Sequence, residues 1–388
     1  MRRAVGVGLL LCAIGAAGAQ ELTLSQRVDG LQRLQTRVAA GDKAAYAAEP
    51  RQLRAIGAAI LAAAPESWKQ KSEAVAAIAY LLSGGQPRDV AKALQSGNLP
   101  KAEETLMRGA LLHALGRERE AGALIGAVDP RKLDARIAGQ FAYALGVIEI
   151  AGNANKALEL LDLARLLAPG GLVEEASLRR EILLGGERKD VDRVAMLARQ
   201  YLMRFGGSIY AVNFMQGFAA TVVRLNLIDS LASFDKFQRS ARSMSPENRR
   251  GFMLAVARSE LENGKFDVAA SAALVALGES TGDNSDTARG QLYQATARLL
   301  GGQYDEGLAQ FGAMAATKLS ANDRVLFAAV KDLAAHLHEA PAPAGGEPAP
   351  LVGGAAASSD SDPAAKTIEA ARAAMERTLK LADAGGRP

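Results

Sequence analysis

The chain has 388 residues, enough for two or three average domains or for one extended array. Apolar residues make up 49% and aromatics only 5%, and no run of Val, Ile, Thr and aromatics alternates with a period of two, which excludes sandwiches and barrels and leaves a helical class packed through small side chains. A balance of 46 basic against 42 acidic residues, scattered to a net +4, argues against a nucleic-acid surface, and one cysteine with three histidines supplies neither a disulfide framework nor a set of metal ligands.

The chain opens with Arg2 and Arg3, an uncharged stretch from Ala4 to Ala16, and the small residues Ala17-Gly18-Ala19 before Gln20. This pattern predicts a secretory signal over residues 1–19 with cleavage after Ala19. An uncleaved anchor is the competing reading, but about 17 residues diluted with alanine and glycine sit at the short limit for crossing a ~30 Å hydrocarbon core. A lipoprotein reading around Cys12 is opposed by Leu11, a bulky side chain where a small one is needed. Cleavage removes Cys12 together with Arg2 and Arg3, so the net charge falls from +4 to +2 and the mature chain has no cysteine. Such a chain suits an oxidising compartment, and the expectation is a protein of the bacterial periplasm that is soluble once the signal is gone.

From Thr23 the residues Val28, Leu31, Leu34 and Val38 recur at helical spacing, with Thr23 or Ser25 as cap and Gly41-Asp42 as the stop. A second helix is expected to begin near Pro50 and to run to Ala64-Pro65, because the missing N–H of proline is harmless in a first turn. A third covers Glu66 to Leu82 with Trp68 near its start, and Gly84-Gly85 closes it. Pro87 and Pro100 punctuate two further short helices, which completes an N-terminal helical region at residues 20–105.

Over residues 106–338 the punctuation becomes regular. Turn positions at Gly116, Gly152, Gly186, Asn226, Gly264 and Gly302 are 34 to 40 residues apart, each preceded by one helical pattern and followed by another rich in small residues. The expected fold is therefore all-α, a degenerate tetratricopeptide-like superhelix of helical hairpins preceded by the N-terminal helical region. One hairpin cannot bury its apolar face alone, whereas stacked hairpins share a core and curve around a concave surface. An irregular helical bundle is the alternative. Residues 339–363 are rich in Pro, Gly and Ala and read as a flexible linker, and residues 364–388 read as an amphipathic helix with Ile368, Ala371, Met375 and Leu379 on one stripe.

The search for chemistry returns no catalytic, cofactor-binding or metal-binding residue. His336 and His338 lie two apart and point to different helix faces, and His113 stands alone on an apolar helix. There is no Gly-x-Ser-x-Gly elbow and no phosphate loop ending in Gly-Lys-Ser/Thr. Asp283-Asn284-Ser285-Asp286 resembles a piece of a calcium loop but lacks its later glycine and glutamate, so it reads as a capping turn. Glu66-Ser67 and Glu279-Ser280 lack the segment that follows such a pair in lytic transglycosylases. The adjacent acids Glu103-Glu104 and Glu174-Glu175 diverge by about 100° on a helix and are expected on solvated faces. The aromatic group Tyr201, Phe205, Tyr210, Phe214 and Phe218, followed by Phe234, Phe237 and Phe252, is expected to be mostly core.

Several segments resemble the MotC family of periplasmic motility proteins in flagellated alphaproteobacteria. They are Ala79-Tyr80-Leu81-Leu82-Ser83-Gly84-Gly85, the run from Leu160 to Gly170, Leu172-Val173-Glu174-Glu175-Ala176 continuing through Leu178 to Ile182, Ala198 to Leu202, and Ser208-Ile209-Tyr210-Ala211 with Asn213-Phe214. The resemblance spans about residues 20 to 335. It implies a non-enzymatic protein that binds the periplasmic domain of the stator protein MotB and supports flagellar rotation, with no cofactor, small-molecule substrate or nucleic acid. A general envelope-assembly or peptidoglycan-associated repeat protein is the second reading, and a degenerate transglycosylase the third.

Overall fold

A computed structural model describes residues 22–338, apart from positions 281, 283 and 315–318. The expected signal at 1–19, linker at 339–363 and terminal helix at 364–388 lie outside the described residues. The described chain is all-α, and no strand occurs among those residues. In chain order the helices are α1 (Leu24–Ala39), α2 (Lys43–Ala62), α3 (Lys71–Leu82), α4 (Pro87–Gln95), α5 (Lys101–Ala114), α6 (Glu118–Ile125), α7 (Ala135–Glu149), α8 (Ala154–Leu167), α9 (Leu172–Glu187), α10 (Val191–Phe205), α11 (Ala211–Arg224), α12 (Leu231–Ala241), α13 (Pro246–Glu262), α14 (Phe266–Gly278), α15 (Ser285–Leu300), α16 (Tyr304–Gly312) and α17 (Ala321–His338). Residue 105, where the N-terminal region was expected to give way to the repeats, falls within α5.

Local chemistry accounts for most boundaries. The Thr23 hydroxyl accepts the Gln26 N–H while the Gln26 side chain accepts the Thr23 N–H, a reciprocal cap for α1. α2 starts seven residues earlier than expected. Asp42 caps it by accepting the Ala45 N–H, and Pro50 lies inside the helix on an exposed face, where the carbonyl it fails to bond can reach water. The third expected helix is split, since a 3-10 turn at Pro65–Lys69 seats Trp68 in the core before α3 begins.

Odd- and even-numbered helices follow one another as successive hairpins, with the exception that α11 and α12 pack mainly against α13 and α10 rather than against each other. The turns inside seven of these hairpins carry a left-handed residue, namely Gly41, Gly84, Gly116, Lys189, Asn226, Gly264 and Gly302, with φ between 48° and 94°. Gly186 is not the α9–α10 turn. It lies within α9, packed against Leu225 and Thr221 of the next hairpin, and Lys189 takes the left-handed position instead. Side chains tie each turn to its neighbour: Arg188 donates to Asn155 Oδ1 (2.6 Å), Lys189 to the Leu225 carbonyl, and Lys265 to Asn226 Oδ1 (2.6 Å). This succession is compatible with a tetratricopeptide-like superhelix.

Two main cores form. One gathers residues of α1 to α7 around α3, whose positions Ala74 to Leu81 are all buried; the four alanines among them let neighbouring helices approach closely. The other runs from α9 to α17 and holds the aromatic group, in which Phe218 stacks on Phe214 and Phe252 with ring centroids 5.6 and 5.5 Å apart. Three buried tyrosines recur with one device. Tyr80, Tyr201 and Tyr293 donate to Asp89, Glu175 and Asp323 at 2.7, 2.7 and 2.6 Å, and each carboxylate sits near a helix start, where free N–H groups and the helix dipole favour negative charge.

The two halves differ in connectivity. From α10 onward the principal contacts join helices one or two apart in the chain. In the first half, α1 also packs against α9 and α3 against α7, so the odd helices close into a ring.

Candidate functional site

The ring closes on α9, and polar groups do much of the closing. Gln32 of α1 donates to the Arg136 carbonyl of α7 (2.7 Å), and the Arg136 guanidinium reaches Ser25. Gln35 donates to the Ser83 carbonyl (3.0 Å) and to Glu49 (2.7 Å), while Gln140 donates to the Ser83 hydroxyl (2.7 Å). The turn between α1 and α2 meets the turn between α10 and α11, where Tyr46 packs edge-on against Tyr210 at 6.3 Å.

α9 itself carries buried acids, contrary to the solvated face expected for Glu174-Glu175. Glu174 and Glu175 are 3% and 0% exposed because α9 is enclosed by α8, α10 and α1, so adjacent positions about 100° apart on the helix are both covered. Glu174 accepts from Arg204 (2.8 Å) and from the Gly170 N–H (2.6 Å). Glu103 is likewise buried, 3.5 Å from Lys71, whereas Glu104 pairs with Arg108 nearer the surface.

The deepest acid is Glu181, fully buried, with Arg165 of α8 and Arg193 of α10 at 3.1 and 3.0 Å. Both guanidiniums also bind Asp162 at 2.8 Å, which balances two positive charges with two negative ones across three helices. Burial outweighs the arginines and pushes the Glu181 carboxyl up to about 7, and burial raises Glu175 as well despite its bond from Tyr201. Burial, helped by the Glu175 charge, holds the Tyr201 hydroxyl well above its ordinary range. The network fixes α8, α9 and α10 against one another. A clue to it lies in the sequence: Glu174, Leu178, Glu181 and Gly185 are spaced by four, three and four, which puts two acids on a face that also carries a leucine and a packing glycine.

At the amino end of α9 the ring leaves a cleft of about 230 Å³, lined by Gln32, Gln35, Thr36, Arg136, Gln140 and parts of the segments 167–169 and 171–173. Gly171, the residue before α9, has no side chain to cap the helix. Gln140 is 7% exposed, and its Oε1 has no hydrogen-bond partner among the described residues. The Arg136 charge is matched by Asp134 at 3.0 Å.

The other residues singled out in the sequence are dispersed. His113 Nδ1 lies 2.8 Å from Glu118, Asn284 caps α15, and Asp286 binds Arg250 at 2.8 Å; Asp283 and the side chains of His336 and His338 lie outside the described residues. Glu66 pairs with Lys69 and Glu279 with Arg249. Among the described residues no group of three or more His, Cys, Asp or Glu is gathered where an ion could be held, and no helix is long and apolar enough to cross a membrane. The aromatic group is core, with Tyr210 half-buried. Exposed large apolar side chains lie instead mostly on even helices, among them Leu166 of α8 and Met196 and Met203 of α10, the last two seven residues apart on one face.

Comparison with known proteins agrees with the resemblance read from the sequence. A family model described as "Chemotaxis protein MotC" matches residues 3–385. A protein named "Chemotaxis protein MotC" from Rhizobium meliloti (strain 1021) is 28% identical over 364 residues, covering 90% of this chain and 80% of the relative. No solved structure matches.

Proposed function

The chain belongs to the MotC family of chemotaxis proteins, and on that premise we propose that it is a non-enzymatic periplasmic protein that binds the periplasmic domain of the stator protein MotB and stabilises or positions it for flagellar rotation. The carrying observation is the family match along nearly the whole chain. The surface is consistent with a protein partner. Met196 and Met203 present adaptable apolar side chains outward, and such residues suit protein recognition better than isolated charged positions do. The inner aromatic residues are committed to the core, so the contact surface on this reading is the even-helix layer and the closed ring rather than an aromatic-lined concavity.

A strain lacking the gene tests the reading. It is expected to assemble flagella but not to swim, with motility restored by the full chain supplied in trans. Normal swimming of the deletion strain would overturn the motility role. Failure of the purified mature chain to retain the periplasmic part of MotB would overturn the assignment of the partner.

A further inference from the structure

Among the described residues α17 is the one odd helix that no even helix follows. The odd helices before it are enclosed. α15 is held by α13, α14, α16 and α17, and every position from Leu292 to Ala297 is buried, which takes in its whole circumference. α17 leans chiefly on α15, with Phe327 stacked on Phe311 of α16 at 4.6 Å, and of its described side chains only Asp323, Val330 and Ala334 are buried. Beside that buried line runs a second apolar one. It comprises Leu326 and Leu333, half-buried, with Ala329 and Val325 exposed, Val325 by 47%.

The chain itself supplies an occupant. It continues beyond His338, and residues 364–388, outside the described residues, carry Ile368, Ala371, Met375 and Leu379 at helical spacing. On a helix, Lys366, Glu369, Glu376, Arg377 and Lys380 fall on the opposite side. One apolar and one charged side is what the end cap of a repeat array requires. The intervening residues 339–363, taken as coil, span about 25–30 Å root mean square. α17, with 18 residues, is about 27 Å long, so the segment reaches either of its ends. So tethered, it competes at roughly millimolar effective concentration, well ahead of a separate chain.

We propose that residues 364–388 dock as a helix on the Val325, Ala329 and Leu333 side of α17, taking the even place after it and closing the end of the stack. The docking holds whether or not MotB is the partner of the rest of the surface.

Hydrogen exchange of the mature chain with and without residues 364–388 tests it. Removing them is expected to speed amide exchange in α17 at least about tenfold and to leave α1 to α9 unchanged. Val325→Glu, at an exposed position and with no loss of helix propensity, is expected to speed α17 to the same extent in the full mature chain and to add nothing in the shortened one. Exchange in α17 that the deletion leaves unchanged would overturn the proposal, and so would acceleration by the deletion that Val325→Glu does not reproduce. Protection that rises with protein concentration, together with a dimer in sedimentation that the deletion abolishes, would give the face to a second copy. Protection of α17 only on addition of the periplasmic part of MotB would give it to that protein. Either result overturns docking within one chain.

Discussion

The two halves of the molecule use the same hairpin but pass stability along the chain differently. In α10 to α17 each helix leans on neighbours one or two places away, the condition under which a repeat array behaves as a one-dimensional stack. In α1 to α9 the contacts of α1 with α9 and of α3 with α7 make each helix depend on others far away in sequence. Closure also changes the chemistry of the core. Both cores use buried alanines, but the ring resolves its polar groups through Gln32, Gln35 and Gln140, whereas the stack adds the phenylalanine cluster around Phe218. Closing a ring brings backbone ends and side-chain amides into the interior, and these must find partners there.

Removing one end from each half gives the largest contrast. Deleting residues 22–42 takes Val28, Leu31 and Val38 out of the core and uncovers α9, and it is expected to exceed the ~5–15 kcal/mol stability of an ordinary domain, unfolding the whole ring. Ending the chain after Leu300 removes, among the described residues, α16 and α17, neither of which belongs to the ring, so amide exchange in α1 to α9 should remain as slow as before. Loss of protection in the ring after that truncation would erase the distinction.

Phe218→Ala removes the middle of the aromatic stack and is expected to cost about 3–5 kcal/mol, read by denaturant unfolding, with faster exchange confined to α10 to α13. Spread of that effect to α3 would show that the halves unfold as one unit.

At the junction, Glu181 makes stability depend on pH. Its carboxyl is raised from an ordinary 4.5 to about 7, so between these values the folded chain holds a proton that the unfolded chain has released. Its contribution is therefore fully present below about pH 4.5 and is lost as pH rises through about 7, by as much as ~3 kcal/mol. Glu181→Gln should flatten the stability profile across that interval. Asp134 acts with the opposite sign, since the Arg136 hydrogen bonds lower its carboxyl; its contribution is lost only on acidification below the usual carboxylate range.

The smallest contrast compares two turn glycines. Gly41 and Gly84 have nearly the same φ, +93° and +94°, so Ala at either pays the left-handed penalty of about 1–2 kcal/mol. Around Gly84 there is open space, but a Cβ at Gly41 would strike the Gly207 carbonyl where the ring meets the stack. Gly41→Ala should lower the melting temperature clearly more than Gly84→Ala does, and equal shifts would mean that the turn contact carries no load.

Helix positions followed closely from the sequence where a cap, a breaker and an apolar period agreed, as at Thr23 and Gly84. They were misplaced where a single strong signal competed with a weaker one. Pro50 masked the Asp42 cap, and Gly186, a packing glycine, masked Lys189, whose left-handed backbone has no glycine to announce it. The candidate site was less legible. The segment from Leu172 to Ile182 was among those resembling the MotC family, yet its acids read as solvated because their burial depends on α1 returning to α9. The cleft has no motif at all, since Thr36, Gln140 and Gly171 meet only through that closure.

The sequence by itself determined the helical class, the hairpin cadence and the family, because caps, breakers and apolar periods are short-range and survive without tertiary context. The tertiary structure alone decided that the first half closes and the second stays open. That choice rests on contacts between residues more than a hundred positions apart, such as Gln32 with Arg136, and local spacing carries no record of them.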